Sequence, residues 1–178
     1  MAPEKGLAAR LRRKLGDRYV TGDLEMAGVD LKLDLTDTRL PDASFDVIYC
    51  SNVLEHVPAD GRAMAELFRI LRPGGLAIVQ VPVRGQTTLE DPTVVDPVRR
   101  AELFGQADHV RYYGRDVRQR LERAGFRVEE MTMPDALSLS VDAIVRFNCG
   151  KRELVHFCSK PLACDPATAP FDRAVPSP

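Results

Sequence analysis

No Gly-x-Gly triplet occurs anywhere in this chain of 178 residues. Neither a dinucleotide fingerprint nor a phosphate-cradling loop is therefore available. A Tyr-x-x-x-Lys pair is missing too, and the two absences disfavour a nicotinamide- or nucleotide-sugar-dependent oxidoreductase. No segment approaches the ~18 apolar residues of a membrane helix, and the first residues turn polar without the apolar core of a secretion signal. No membrane span is expected, and a cytoplasmic location follows by default. The four cysteines, at 50, 149, 158 and 164, form no Cys-x-x-Cys pair, which leaves a zinc ribbon or a thioredoxin-type site unsupported. His156 and Cys158 alternate along one segment, but two ligands do not make a metal site. A formal net charge of −1 argues against a nucleic-acid partner. There are no internal repeats.

What is present suits one globular domain with a real core: 44% hydrophobic and 29% charged residues. Leu7, Leu11 and Leu15 recur at helical spacing before Gly16. Short strands are expected over 18–22, ending at Asp23, and over 29–35, with the strand end at Asp34. Phe45 to Cys50 is a nearly continuous apolar run, as in a strand buried on both faces, with Cys50 a small core residue. Asp60 is placed to cap a helix whose stripe is Met64, Leu67, Phe68 and Leu71. Pro73, Gly74 and Gly75 are expected to stop that helix ahead of a buried strand over 76–81. Residues 83–113 are the least regular stretch. A helix follows over 116–124, then a closing pair of strands over 126–131 and 153–159. The proline-rich residues 161–178 read as a disordered tail, leaving a domain over 1–160. Alternating strands and helices imply an α/β fold with a mainly parallel sheet covered on both faces and an antiparallel last strand.

In such sheets ligands bind where strands end. Asp23 stands just past one strand end, beside Leu24. Its two oxygens can accept both hydroxyls of a ribose; a turn residue or helix cap is the alternative, and Glu25 is the rival for the role. Asp34 and Leu35 follow the next strand. A carboxylate and the following backbone N–H together can read the amino edge of adenine, with Asp37 then a solvated loop charge. Asp108-His109-Val110-Arg111-Tyr112-Tyr113 lies ahead of the penultimate helix. His109 is the natural candidate for a catalytic base, with a loop-bracing role as the alternative. The arginines over 111–127 could hold an anionic acceptor, or form a solvated helix face.

The wording of residues 34–82, with LPDASFDVIYCSNVLEHV followed by RAMAELFRILRPGGLAIVQVP, resembles class I S-adenosylmethionine-dependent methyltransferases of the methyltransferase type 11 kind. The resemblance implies a Rossmann-like sheet of strand order 3-2-1-4-5-7-6 and S-adenosylmethionine as cofactor. It raises the acidic residues after the second and third strands, Asp23 and Asp34, to cofactor contacts with Leu24 and Leu35. It sets Ser51 and Asn52 along the methionine end of the cofactor, and treats Leu54, Glu55 and His56 as mostly structural wording. Some relatives bind magnesium through an Glu-x-x-Glu-His arrangement at this point. Here the first position is Asn52, so no metal is expected. Pro3-Glu4 looks like the end of the turn that follows the family's first strand, which makes Glu4 a further cofactor contact. That strand itself is expected to be missing, as in an N-terminally truncated chain, leaving a gap between strands two and four. The implied activity is methyl transfer to a small-molecule acceptor, with the oligomeric state open. The alternative is a degenerate or truncated methyltransferase fold serving as a non-catalytic interaction module.

Overall fold

The structure, a computed structural model, describes residues 5–136, 138 and 154–162. Glu4, Cys149, Cys164 and nearly all of the expected tail lie outside the described residues. The fold is a Rossmann-like α/β arrangement in which the main parallel pair of strands is joined through a helix and the last strand turns back.

Helix α1 (Lys5–Leu15) ends in a 3-10 turn over Gly16–Arg18. The expected strands over 18–22 and 29–35 shrink to two residues each, β1 (Gly22–Asp23) and β2 (Leu31–Lys32), paired in parallel. The 3-10 turn consumes the start of the first, and Asp30 is diverted: its side chain accepts from the Thr21 N–H and hydroxyl at 2.8 and 2.7 Å.

Strand β3 (Phe45–Ser51) opens the main sheet, followed by helix α2 (Asp60–Ile70) and strand β4 (Leu71–Gln80). Closing strands β7 (Arg127–Thr132) and β8 (Leu154–Ser159) complete it in the order β3-β4-β8-β7. β4 runs parallel to β3, while β8 is antiparallel to both β4 and β7, so the antiparallel last strand expected from the sequence is present. Met64, Leu67 and Leu71 are fully buried beneath this sheet with Ala77, Val79, Leu121 and Cys158.

Two local expectations are corrected. Asp60 is not the N-cap of α2: that position is Ala59 with no side-chain bond, and Asp60, the first helical residue, accepts from the Gly61 N–H through Oδ1 at 2.8 Å and from Tyr113 and Arg120 through Oδ2 at 2.8 and 3.0 Å. Pro73-Gly74-Gly75 does not stop the helix either. α2 ends at Ile70, and the Pro-Gly-Gly turn makes a kink inside β4, where Phe45 pairs with Leu71 but Val47 pairs with Leu76. A Cβ on Gly75 would lie 2.8 Å from the Arg72 carbonyl oxygen and 2.9 Å from that of Asp46, so only glycine fits that kink. The end of α2 is satisfied from elsewhere: the Lys160 ammonium donates to the carbonyls of Phe68 and Leu71, both at 2.8 Å.

Residues 83–113 are more regular than the sequence suggests. They hold β5 (Leu89–Glu90), helix α3 (Pro97–Phe104) and β6 (Arg111–Tyr112), with β5 antiparallel to β6. Helix α4 (Val117–Arg123) follows as expected, and a short helix α5 (Met133–Ala136) comes after β7.

Among the described residues no strand lies between β1–β2 and β3, and β3 pairs with β4 alone. An apolar cleft of about 670 Å³ occupies that region, walled by Leu7, Leu11 and Leu15 of α1, Leu31 and Leu33, and Val47 of β3. β3 is accordingly not buried on both faces: Val47 is 60% exposed.

Candidate active site at the strand ends

Of two clefts among the described residues, the larger is not where the polar chemistry gathers. The 670 Å³ cleft is lined by residues 45–49 along the flank of β3. The smaller, about 390 Å³, sits at the C-terminal ends of β3 and β4 and is lined by Asn52, Gln80, Pro82, Tyr112 and Arg115. That is where an open α/β sheet presents its ligand site.

Ser51 closes β3, and its hydroxyl meets the Gln80 side-chain oxygen at 3.3 Å. Asn52 follows in the left-handed region with φ of 50°, its N–H donating to the Gln80 carbonyl at 2.9 Å. A non-glycine residue held there is uncommon, and asparagine tolerates it best. The effect is a sharp turn out of the sheet that leaves the Asn52 side chain exposed at the cleft.

Asp23 and Asp34 each stand just beyond a short strand and each spend one oxygen on a local turn. Asp23 Oδ1 accepts from the N–H groups of Glu25 and Met26 at 2.9 and 2.8 Å. Asp34 Oδ1 accepts from the Thr36 N–H and hydroxyl at 2.7 and 2.8 Å, and these bonds hold its carboxyl below the ordinary value. Oδ2 of each makes no hydrogen bond among the described residues. Leu24 is exposed, whereas the Leu35 side chain joins the core. Neither Asp23 nor Asp34 lines the smaller cleft; Asn52 does.

The loop beyond Asn52 is clamped by residues the sequence left on a solvated face. Arg111 is buried, and its guanidinium donates to the carbonyls of Leu54, Val57 and Pro58 at 3.1, 2.5 and 2.8 Å, and to Glu90 at 2.9 Å. Arg120 bridges Asp60 and Glu90 at 3.0 and 2.7 Å. The loop wall is thus tied to β5, β6 and α4. Loop 85–88 packs on Gly114, where an added Cβ would fall 2.3 Å from the Thr87 backbone.

Behind that wall lie Glu55, His56 and His109. Glu55 is 1% exposed, and neither carboxylate oxygen has a hydrogen-bond partner among the described residues. Burial pushes its carboxyl up. His109 is 3% exposed, with Nδ1 2.9 Å from the Phe104 carbonyl oxygen. The His56 and His109 rings meet edge to face at 4.7 Å. The sequence marks His109 as a candidate base and Glu55 and His56 as mostly structural wording; that the Glu55 carboxylate is buried without a partner among the described residues has no mark in a one-dimensional pattern.

Comparison with known proteins fits this architecture. The methyltransferase domain family matches residues 4–79. A probable S-adenosylmethionine-dependent methyltransferase of Mycolicibacterium smegmatis is 34% identical over 97 residues, which cover 54% of this chain and 34% of that protein. Methyltransferase GfsG of Streptomyces halstedii is 36% identical over 108 residues, 57% of this chain and 37% of that one. The chain spans about a third of the length of these curated relatives. Among solved structures, phosphoethanolamine N-methyltransferase 2 of Haemonchus contortus, in complex with S-adenosylmethionine, shares the fold. The TM-score is 0.59 at 15% identity, over 88% of this chain and 46% of that one. The stretch similar to the methyltransferase domain family runs from α1 into β4 and takes in Asp23, Asp34, Ser51 and Asn52.

Proposed function

We propose that the strand-end cleft binds S-adenosylmethionine and that the protein transfers its methyl group to a small-molecule acceptor. The observation that carries this reading is the pairing of the family match over residues 4–79 with a sharp exit from β3 at Ser51-Asn52, beside a polar cleft. In this reading the free oxygen of Asp34 and the Leu35 N–H take the adenine edge. Asp23, with Leu24 beside it, takes the ribose hydroxyls. Ser51 and Asn52 face the methionine end, and Glu4, outside the described residues, supplies a further contact.

Methyl transfer from a sulfonium is an in-line displacement, so positioning is the main requirement. Tyr112 and Arg115 line the same cleft and would meet the acceptor. Where the acceptor's nucleophile carries a proton, His109 is the candidate base: donation from Nδ1–H to Phe104 leaves Nε2 to accept.

The test is calorimetric titration with S-adenosylmethionine and S-adenosylhomocysteine, followed by a screen of acceptors for release of S-adenosylhomocysteine. Saturable binding of both, weakened by Asn52→Ala, supports the reading. Failure of a folded sample to bind either would leave the domain as a non-catalytic module.

A further inference from the structure

We propose that Glu55, His56 and His109 form a binding site for one divalent transition-metal ion. The proposal is independent of cofactor binding at the strand ends. One potential ligand atom from each of the three residues lies within 4.8 Å of the other two. At a metal–ligand distance of ~2.1 Å, tetrahedral ligands stand about 3.4 Å apart. The cluster therefore needs a modest contraction, and the half-buried ring of His56 is free to supply it.

Four features of the site fit an ion better than a packed core. The first is the Glu55 carboxylate, buried with both oxygens unpartnered among the described residues; a buried charge ordinarily has a partner or coordinates a metal. The second is the orientation of the rings. His109 Nδ1 is occupied by the Phe104 carbonyl oxygen at 2.9 Å, and His56 Nδ1 lies 3.2 Å from Asp108 Oδ2. The His109 ring is thus anchored through Nδ1 by an outer acceptor, which leaves its Nε2 available to a ligand, as in metal-bound histidines generally, while the His56 ring stands beside the Asp108 carboxylate and can turn toward the cluster.

The third feature is rigidity. Glu55 and His56 sit on one 3-10 turn, and its carbonyls at Leu54 and Val57 are gripped by Arg111. The Val110 N–H donates to the Glu55 carbonyl at 2.9 Å, binding the turn to the segment that carries His109. The two ligand-bearing segments are held together before any ion arrives. The fourth is charge: the carboxylates of Glu55 and Asp108 balance a dication held by two neutral imidazoles. His56 is 32% exposed and gives the ion a way in.

Two imidazoles and one carboxylate favour zinc, cobalt or manganese over magnesium, which prefers an all-oxygen shell. The sequence reading discounted a metal because Asn52 replaces a glutamate. Here the third ligand comes instead from His109, brought in by the fold. With an ion bound, His109 Nε2 is a ligand and not a base, so the two roles exclude each other.

The test uses the full chain stripped with a chelator, then titrated with Co²⁺, Zn²⁺ or Mg²⁺ alone. One equivalent of Co²⁺ should bind and give ligand-field bands without a thiolate charge-transfer band, which separates this site from the cysteines. Zn²⁺ should raise the melting temperature, and Mg²⁺ should do neither. Glu55→Gln and His109→Gln should weaken Co²⁺ binding at least about a hundredfold, and Asp108→Asn about tenfold. His56→Gln changes a half-exposed side chain and should fold even where the buried variants do not; it too should lose tight binding. No stoichiometric Co²⁺ binding, a thiolate band, or full affinity in His56→Gln would each overturn the assignment.

Discussion

The Tyr113 hydroxyl donates to Asp60 Oδ2 across 2.8 Å, and both side chains are buried. The bond joins the segment after β6 to the first residue of α2, and Arg120 reaches the same carboxylate oxygen. Burial, with Asp60 alongside, pushes the Tyr113 phenol above its ordinary value, so it remains a donor. Tyr113→Phe should cost about 1–3 kcal/mol of unfolding free energy. Arg111→Met should cost more, since it takes the guanidinium from the carbonyls of Leu54, Val57 and Pro58 at once and leaves Glu90 to Arg120 alone. Urea midpoints would rank the two; equal midpoints would mean that the clamp is not what holds the loop.

Cofactor recognition gives a matched pair. Asp34→Ala should weaken S-adenosylmethionine binding by about 1.5–3 kcal/mol, the range for a hydrogen bond to a charged group. Asp37→Ala, on an exposed carboxylate whose ion pair is with Arg39 at 3.4 Å, should change little. Part of any Asp34 effect belongs to the lost Thr36 turn, so Thr36→Val is the control. Calorimetry in which Asp37 matters more than Asp34 would move the adenine contact.

For the ribose, Asp23→Asn preserves the acceptor used by Glu25 and Met26. Its folding should survive while affinity falls. A larger loss from Glu25→Gln would shift the contact two residues along.

A fourth expectation concerns acid. His156 is fully buried, with Nδ1 3.3 Å from the Val79 carbonyl oxygen. Its Nε2 is 3.3 Å from Glu130, and Arg118 faces the same glutamate at 3.9 Å. The Nε2–Glu130 approach is not aligned as a hydrogen bond, so burial outweighs attraction and pulls the imidazole below its ordinary value. The folded state then holds fewer protons here than the unfolded chain. Its stabilising contribution is complete above the unfolded value of ~6.5 and is lost as pH falls from there through the lower folded value. His156→Gln should flatten the stability profile between about pH 7 and 5. Parallel profiles for the two proteins would show that the native imidazole keeps its proton.

The parts of this fold legible in the sequence are those specified locally. The leucines of α1 at helical spacing, the apolar run of β3 and the closing strands β7 and β8 emerge where their patterns lie. β5 and β6 escape notice because each is two residues long and exists only through pairing of Leu89 with Tyr112 and Glu90 with Arg111. Helix α3 did carry readable signs: Asp96 accepts from the Arg99 N–H as N-cap, Pro97 follows, and Gly105 ends it with φ of 91°. The candidate site divides the same way. Asp34 and Asn52 are marked by position after a strand, whereas the roles of Arg111 and Glu55 depend on what the fold brings against them. A sequence shows an arginine-rich stretch; it does not show which guanidinium is turned inward.

The leucine-walled cleft beside β3 has a consequence for handling the protein. Its lining joins Leu7 and Leu15, each more than a third exposed, to the exposed Val47. Apolar surface of this extent, beside the outermost strand of a sheet, is adhesive. Scattering intensity should therefore climb with protein concentration and with added sulfate, which strengthens apolar association. Val47→Lys, placed on the open rim, should suppress that rise while leaving the far-ultraviolet spectrum unchanged.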